Sequence, residues 1–317
     1  MKQITKNIVW LVACLGVGTI GLCAEPFAKG PYLGQTPPGP IAQVFAPGLI
    51  CDTRPHKGEG HGHFSADGNT FCFNRLGFVY ITENTEQGWT VPKRIQSIPY
   101  MPWSVCLSPD ANSIYFWDQN FTRSRRDSSG SSGKWIVTYD PFKRKIYYRC
   151  MRTSHGWSLP KKLSPPFNSA SGGFSVTADN SICFKSRRGG FWIAPSVGNT
   201  WDRARKLPLE MGNLRGCHPG IAPDGSFLVF YSIRPGALGG TETDLYLTLR
   251  RPDGTWTKPQ NMGPGINTGY HEIGARISSD KKYMFFIRSN GWGLNSSSDT
   301  SDIYWVELKE YLPESYR

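Results

Sequence analysis

Five of the six histidines, His56, His61, His63, His218 and His271, stand in short segments that lead into apolar runs. A neutral imidazole exchanges protons near pH 7 and ligates transition metals. Arg54, Trp103, Arg215 and Glu272 occupy segments of the same kind. Arginine and histidine around one opening suit carboxylates or sulfates, and an exposed tryptophan face suits a sugar ring. His61, His218, His271 and Glu272 are therefore the candidate catalytic residues, with Arg54, His63, Trp103 and Arg215 as ligand-binding residues. His61, His218 and His271 are also the candidate ligands of a divalent metal, the only cofactor the sequence suggests. In a straight strand the rings of His61 and His63 would face opposite ways, so the pair serves one centre only if the segment bends. A plainer role for all of these histidines is hydrogen bonding to neighbouring loops.

Other chemistry is excluded by absence of pattern. The chain has no Gly-x-Ser-x-Gly elbow, phosphate-binding glycine loop, dinucleotide fingerprint or Cys-x-x-Cys pair. Glu272 by itself suits a two-carboxylate glycosidase poorly. No basic helix or zinc-finger spacing argues for a nucleic-acid partner.

The segments holding these residues precede a repeated unit. "HFSADGNTFCF", "VCLSPDANSIYF", "FSVTADNSICF", "GIAPDGSFLVF" and "RISSDKKYMFF" align on Asp67, Asp110, Asp179, Asp224 and Asp280. Each is an apolar run, a small-residue turn and a second apolar run, which is a hairpin signature. An aspartate at one turn position in every copy is a backbone hydrogen-bonding device rather than a catalytic group. A third aromatic strand follows each hairpin: "FVYIT", "KIYYRC", "FWIA", "DLYLTL" and "DIYWVEL". After four of these comes a tryptophan-led element, beginning at Trp89, Trp157, Trp201 and Trp256. The fifth unit lacks one, whereas "IAQVFAPG" (residues 41–48) resembles it and has no unit before it. The simplest assembly is an all-β propeller of five four-stranded blades, its ring closed by an N-terminal strand. A sixth, degenerate blade within residues 119–144 is the alternative. That basic, Ser/Gly-rich insertion otherwise reads as a loop.

The Ser/Ala-Pro-Asp-Gly turns and aromatic third strands resemble the TolB-type WD-like propeller repeat over roughly residues 38–310. The resemblance implies the propeller fold. It fixes no activity, because the family spans periplasmic scaffolds, peptidase-associated propellers and pectin-fragment lyases.

A basic start (Lys2, Lys6) and an apolar run from Ile8 to Ala24 predict a signal peptide over 1–24, a linker over 25–37 and one propeller domain over 38–317. The expected location is periplasmic or secreted, with lipid anchoring at Cys14 as the minor alternative and no transmembrane segment after cleavage. A formal charge of +12 favours an acidic partner: a carbohydrate or cell-envelope component, with a protein partner also open. Cys72 and Cys183 occupy second-strand positions and read as buried thiols, whereas Cys51 and Cys217 are a candidate disulfide near the ring junction. Two functions follow. One is an exported, non-catalytic propeller that binds its partner at the channel mouth. The other is a lyase or hydrolase acting on anionic glycans through the His/Arg/Glu group.

Overall fold

The five turn aspartates are bound as the repeat predicts. Asp67 Oδ1 accepts from the Ser65 hydroxyl at 2.5 Å and the Asn69 amide at 3.0 Å, and Asp110 repeats this with Ser108 and Asn112. Asp179 and Asp280 accept equivalent donors, Thr177 with Ser181 and Ser278 with Lys282, whereas Asp224 takes both hydroxyl and amide from Ser226. Each turn folds the chain into a hairpin, and each hairpin is the inner half of a blade in the computed structural model. Placement is described for residues 26–52, 58–98, 102–118, 122–125, 135–138, 145–233, 243–291 and 300–317.

Blade 1 runs outward from the inner strand Glu59–Phe64 through Thr70–Arg75 and Phe78–Thr85 to Lys93–Arg94. Blade 2 is Trp103–Leu107, Ser113–Asp118, Ile146–Thr153 and Lys161–Lys162; blade 3 is Ala170–Val176, Ile182–Ser186, Phe191–Ala194 and Arg205–Lys206. Blade 4 is Cys217–Ile221, Phe227–Ser232, Asp244–Leu249 and Gln260–Asn261. Blade 5 has only three strands of its own, His271–Ile277, Tyr283–Ser289 and Ser301–Glu307. Its outer strand is Gln43–Val44, paired antiparallel to Trp305 and Tyr304. The ring therefore closes through the N-terminal segment, as the unmatched residues 41–48 foretold. Within the insertion, Thr122–Arg125 pairs with Trp135–Thr138 as a two-stranded ribbon, so these strands form a hairpin rather than a sixth blade.

The seam is held mainly by apolar packing. Phe45 is fully buried, with its ring 5.0–5.9 Å from those of Phe64, Phe71, Phe285 and Trp305. These come from blades 1 and 5, so one side chain ties both edges of the ring. Part of the expected linker joins this packing. Leu33 is buried, and Trp89 Nε1 donates to the Gly30 carbonyl. All six described cysteines are free thiols, with Cys72 and Cys183 buried as read. Cys51 lies at the seam against Ile303, and Cys217 lies against Gly172 and Tyr231. The expected Cys51–Cys217 disulfide is absent because their positions on the ring are separate.

Candidate channel site

Every inner strand carries an irregularity at the same place. Pairing with the second strand shifts between Gly60 and His63, Trp103 and Cys106, Ala170 and Phe174, Cys217 and Gly220, and Ile273 and Arg276. Four residues six places before the turn aspartate take left-handed backbone: His61 (φ 51°), Ser104 (51°), His218 (45°) and Gly274 (69°). Such a conformation in a non-glycine residue costs roughly 1–3 kcal/mol and persists only when its surroundings enforce it. The bulge re-aims the side chain. It also supplies the bend needed by His61 and His63, whose rings both reach blade 2. His61 Nε2 accepts from the Ser104 amide at 3.3 Å, and His63 Nε2 accepts from the Leu107 amide at 2.6 Å. His63 Nδ1 lies 3.2 Å from the His61 carbonyl, so its proton sits on Nδ1 and both ring nitrogens are used.

These residues act as bridges because adjacent inner strands lack a shared ladder. Ser104 Oγ carries the chain of bonds to the Phe174 amide, and Ser175 Oγ carries it to the Ile221 amide. His61 and His218 are buried within the channel rather than placed at its rim. Their ring centroids are 6.0 Å apart. Glycines make room for both: a Cβ on Gly173 would fall 2.3 Å from His218 Cδ2, and one on Gly274 3.2 Å from His61 Nδ1. Because His61 Nε2 is the acceptor, Nδ1 carries the hydrogen, and that buried N–H has no partner. His218 Nδ1 is likewise buried and unpartnered.

Sequence reading missed the group that dominates this region. Arg276, four places before Asp280, is only 3% exposed. It donates to the Ala275 and Val105 carbonyls and to Ser104 Oγ, while Nε has no partner. No carboxylate forms an ion pair with it among the described residues. Burial, then the Arg276 charge, depresses the basicity of His61 and His63, the latter to about 4. Burial, then Lys145 and Arg276, takes His218 down to about 3. All three imidazoles are neutral at pH 7, and Arg276 is the only buried cation beside them among the described residues. A signal was available: positions four before the turn read His63, Cys106, Ser175, Gly220 and Arg276, so one strong cation stands among neutral residues.

Arg276 and His63 line a cavity of about 90 Å3 together with Cys106, Ser175, Pro109 and Pro223. Its rim is built from residues that precede the turn aspartates. Neighbouring turns touch there, through the Ala66 amide to the Pro109 carbonyl and the Ala178 amide to the Pro223 carbonyl, each at 2.8 Å. The turns thus surround an opening, while their aspartate carboxylates stay occupied by their own backbones.

The remaining candidates are dispersed. His271 lies at the outer start of the blade 5 inner strand, with Nδ1 3.5 Å from Thr243 Oγ1. Its donors and those of His61 and His218 do not all lie within 4.8 Å of one another; among the described residues only Cys51, Glu59 and Asp302 do so as a trio. The three-histidine metal centre therefore does not form, because the bulge turns His61 and His218 inward while His271 precedes it. Glu272 is fully buried and committed. Its Oε1 accepts from Thr268 Oγ1 at 2.6 Å and Arg288 Nε at 2.8 Å, and its Oε2 accepts from the Thr268 amide at 3.2 Å. Blade 1 repeats the pair, with Glu59 Oε1 3.1 Å from Arg75 Nε. Burial pushes Glu59 up to about 7, against the opposing pull of Arg75.

Trp103 stacks on Trp117 with centroids 5.6 Å apart, and Lys145 Nζ lies 4.2 Å over the Trp117 ring. Trp103 is half-buried, so part of it remains open to a ligand. Arg215 is exposed near the start of the blade 4 inner strand, and Arg54 lies outside the described residues. The expected signal segment, residues 1–24, also lies outside them. Among the described residues no helix is long and apolar enough to cross a membrane.

No family model and no curated protein matches the chain. Solved structures do resemble it. A galactotriose-bound exo-β-1,3-galactanase from Phanerochaete chrysosporium aligns with TM-score 0.50 at 12% identity, over 86% of this chain and 65% of that one. TolB from Acinetobacter baumannii gives 0.45 at 10%, over 82% and 56%. Oligogalacturonate lyase from Vibrio parahaemolyticus gives 0.37 at 11%, over 81% and 78%. At these identities the likeness bears on the propeller fold alone.

Proposed function

We propose that this chain is an exported propeller that binds an anionic carbohydrate or cell-envelope component through its channel, without chemistry of its own. One observation carries the reading: a buried guanidinium with no carboxylate partner among the described residues lines an open cavity. Withdrawing an ion from water costs several kcal/mol unless it is paired. Three neutral acceptors around Arg276 offset part of that cost, and a ligand carboxylate would supply the missing counter-charge. The Nε–H of Arg276, buried and without a partner, is the donor left unused. The exposed Arg215 and the Lys145–Trp117–Trp103 stack lie at the other end of the inner strands from the turns. Strong net positive charge favours encounter with such a polymer at low salt.

Calorimetric titration with uronic-acid oligosaccharides and their neutral counterparts tests this. Acidic oligosaccharides are expected to bind and neutral ones to fail. Arg276→Gln should weaken binding roughly tenfold to a hundredfold, the worth of one charged hydrogen-bonded contact. Unchanged affinity in a folded Arg276→Gln protein would refute the site.

The second reading, a lyase on anionic glycans, is favoured by the unpartnered Nδ1 of His218 close to that cation; His61, whose Nδ1 carries the proton, can serve there only as a donor. An arginine can stabilise an enolate while a neutral imidazole removes the α-proton. Growth of the ultraviolet absorbance of an unsaturated product, lost in His61→Ala or His218→Ala, would establish it. No absorbance change on substrates that bind would remove it.

A further inference from the structure

The two buried Glu–Arg pairs occupy equivalent places in blades 1 and 5, yet their surroundings differ in one respect. Around Glu272, the Thr268 amide and hydroxyl fill the acceptor positions that Arg288 leaves open. Around Glu59 no such hydroxyl donor stands among the described residues. Arg75 takes Oε1 and also bonds the Leu49 and Ile50 carbonyls, and among the described residues Oε2 receives only a long 3.4 Å contact from the Asp52 amide. The place of the threonine is taken by the Cys51 thiol, which donates to Asp302 and toward the Ile303 carbonyl, and by the Asp302 carboxylate. Cys51 Sγ, a carboxylate oxygen of Asp302 and a Glu59 oxygen lie within 4.8 Å of one another. A thiol and two carboxylates thus converge where one guanidinium is the only cation contacting the trio among the described residues.

From this we infer that Cys51, Glu59 and Asp302 form a binding site for a thiophilic divalent cation that clips the seam of the ring. The inference is independent of the channel reading. The three ligands come from the three pieces that meet at closure. Cys51 ends the turn after the closing strand, held by the Ile50 amide on the Ala46 carbonyl and the Gly48 amide on the Cys51 carbonyl. Glu59 opens the inner strand of blade 1, and Asp302 lies in the third strand of blade 5. Tetrahedral zinc, with bonds of about 2.3 Å to sulfur and about 2.1 Å to oxygen, needs ligand atoms about 3.5 Å apart. Small side-chain rotations reach that from separations within 4.8 Å. Cys51 and Glu59 are buried and Asp302 is half-buried, so one side stays open for entry and for a water as fourth ligand. The outer contacts are in place: the Ile303 amide donates to Cys51 Sγ at 3.3 Å and Arg75 holds Glu59, the kind of support that orients ligands. A thiolate in the set selects zinc or cadmium over magnesium or calcium.

The test is titration of chelator-treated full-length protein with Cd2+, read by thiolate-to-cadmium charge-transfer absorption and by Tm. One equivalent should bind, Zn2+ should compete and Mg2+ should not. Tm should rise by roughly 5 °C at a hundredfold excess over Kd. Cys51→Ser should abolish the absorption band. Asp302→Asn, altered at a half-exposed side chain, should weaken the metal at least tenfold, and this second variant serves if Cys51→Ser does not fold. Both should keep the affinity for acidic oligosaccharides, whereas Arg276→Gln should keep the cadmium band. An undiminished band in Cys51→Ser, an unchanged affinity in Asp302→Asn, or neither band nor Tm shift in the parent protein would overturn the site.

Discussion

Replacing His63 by glutamine should remove a defined share of the protein's acid sensitivity. The imidazole is buried, donates from Nδ1 to the His61 carbonyl and accepts the Leu107 amide at Nε2. Both contacts require the neutral ring, and burial followed by the Arg276 charge holds its pKa near 4 against 6.5 for a free histidine. The folded pKa is thus depressed. Between these values the unfolded chain takes up a proton that the folded chain refuses, so stability falls as pH drops through the window. Taking pKa values of about 4 and 6.5, the loss between about pH 8 and pH 4.5 is about 2.5 kcal/mol from this residue. Glu59 works in the opposite direction. Its folded pKa, raised to about 7 from 4.5, makes the folded chain the better proton binder as pH falls across that span. A single pH profile mixes these effects, but the difference between parent and His63→Gln cancels what they share. Urea unfolding of both proteins at the two pH values should show the parent's advantage shrinking by about 2.5 kcal/mol. A difference that stays within about 0.5 kcal/mol would mean that His63 protonates normally in the fold, and the assigned Leu107 hydrogen bond would be wrong.

Two further outcomes test the frame around the site. Phe45→Ala should cost about 3–5 kcal/mol, because the ring is fully buried among aromatics of blades 1 and 5; limited proteolysis should then cut first in the N-terminal segment, and first cuts elsewhere would deny that the seam is the weak point. Glu272→Gln should lower stability by about 3 kcal/mol by leaving the Arg288 guanidinium short of its charge partner, while affinity for acidic oligosaccharides stays within twofold. Loss of binding at unchanged Tm would return Glu272 to the ligand site.

The ring was readable because its signals are local and recur. A turn aspartate flanked by small residues needs only its own backbone, so Asp67, Asp110, Asp179, Asp224 and Asp280 mark five hairpins without tertiary information. Closure was readable from one mismatch, an unclaimed fourth strand at residues 41–48. What depends on a shift in register was not. The bulge before each turn has no composition of its own: His61, Ser104 and His218 take the left-handed backbone that Gly274 takes freely. Regular alternation therefore separated His61 from His63, and counting back from the aspartate placed both His61 and His218 at a rim. Counting cannot see that a bulge turns them inward while His271, three residues earlier in its own strand, stays behind. The Glu59–Arg75 and Glu272–Arg288 clamps were hidden for another reason. Each pairs residues sixteen apart across a hairpin, and only the register sets them face to face.

Near-repetition itself separates scaffold from site. Where the five copies agree, as at the turn aspartates, the shared residue meets a need that every blade has, and one backbone device answers it. Where they disagree at a channel-facing place, the difference answers to something outside the repeat. Four places before the turn, a serine bridges to the next strand, a glycine lets Ala275 approach, and a histidine reaches Leu107. Each of these serves the junction between two blades. Arg276 spans the channel instead, from blade 5 to Ser104 and Val105 of blade 2. Blade contacts alone do not require a charge there, since a neutral donor could satisfy the same two oxygens without the cost of burying an ion. The proposed anionic ligand would account for a cation placed at such a cost, beside imidazoles held neutral and against an open cavity.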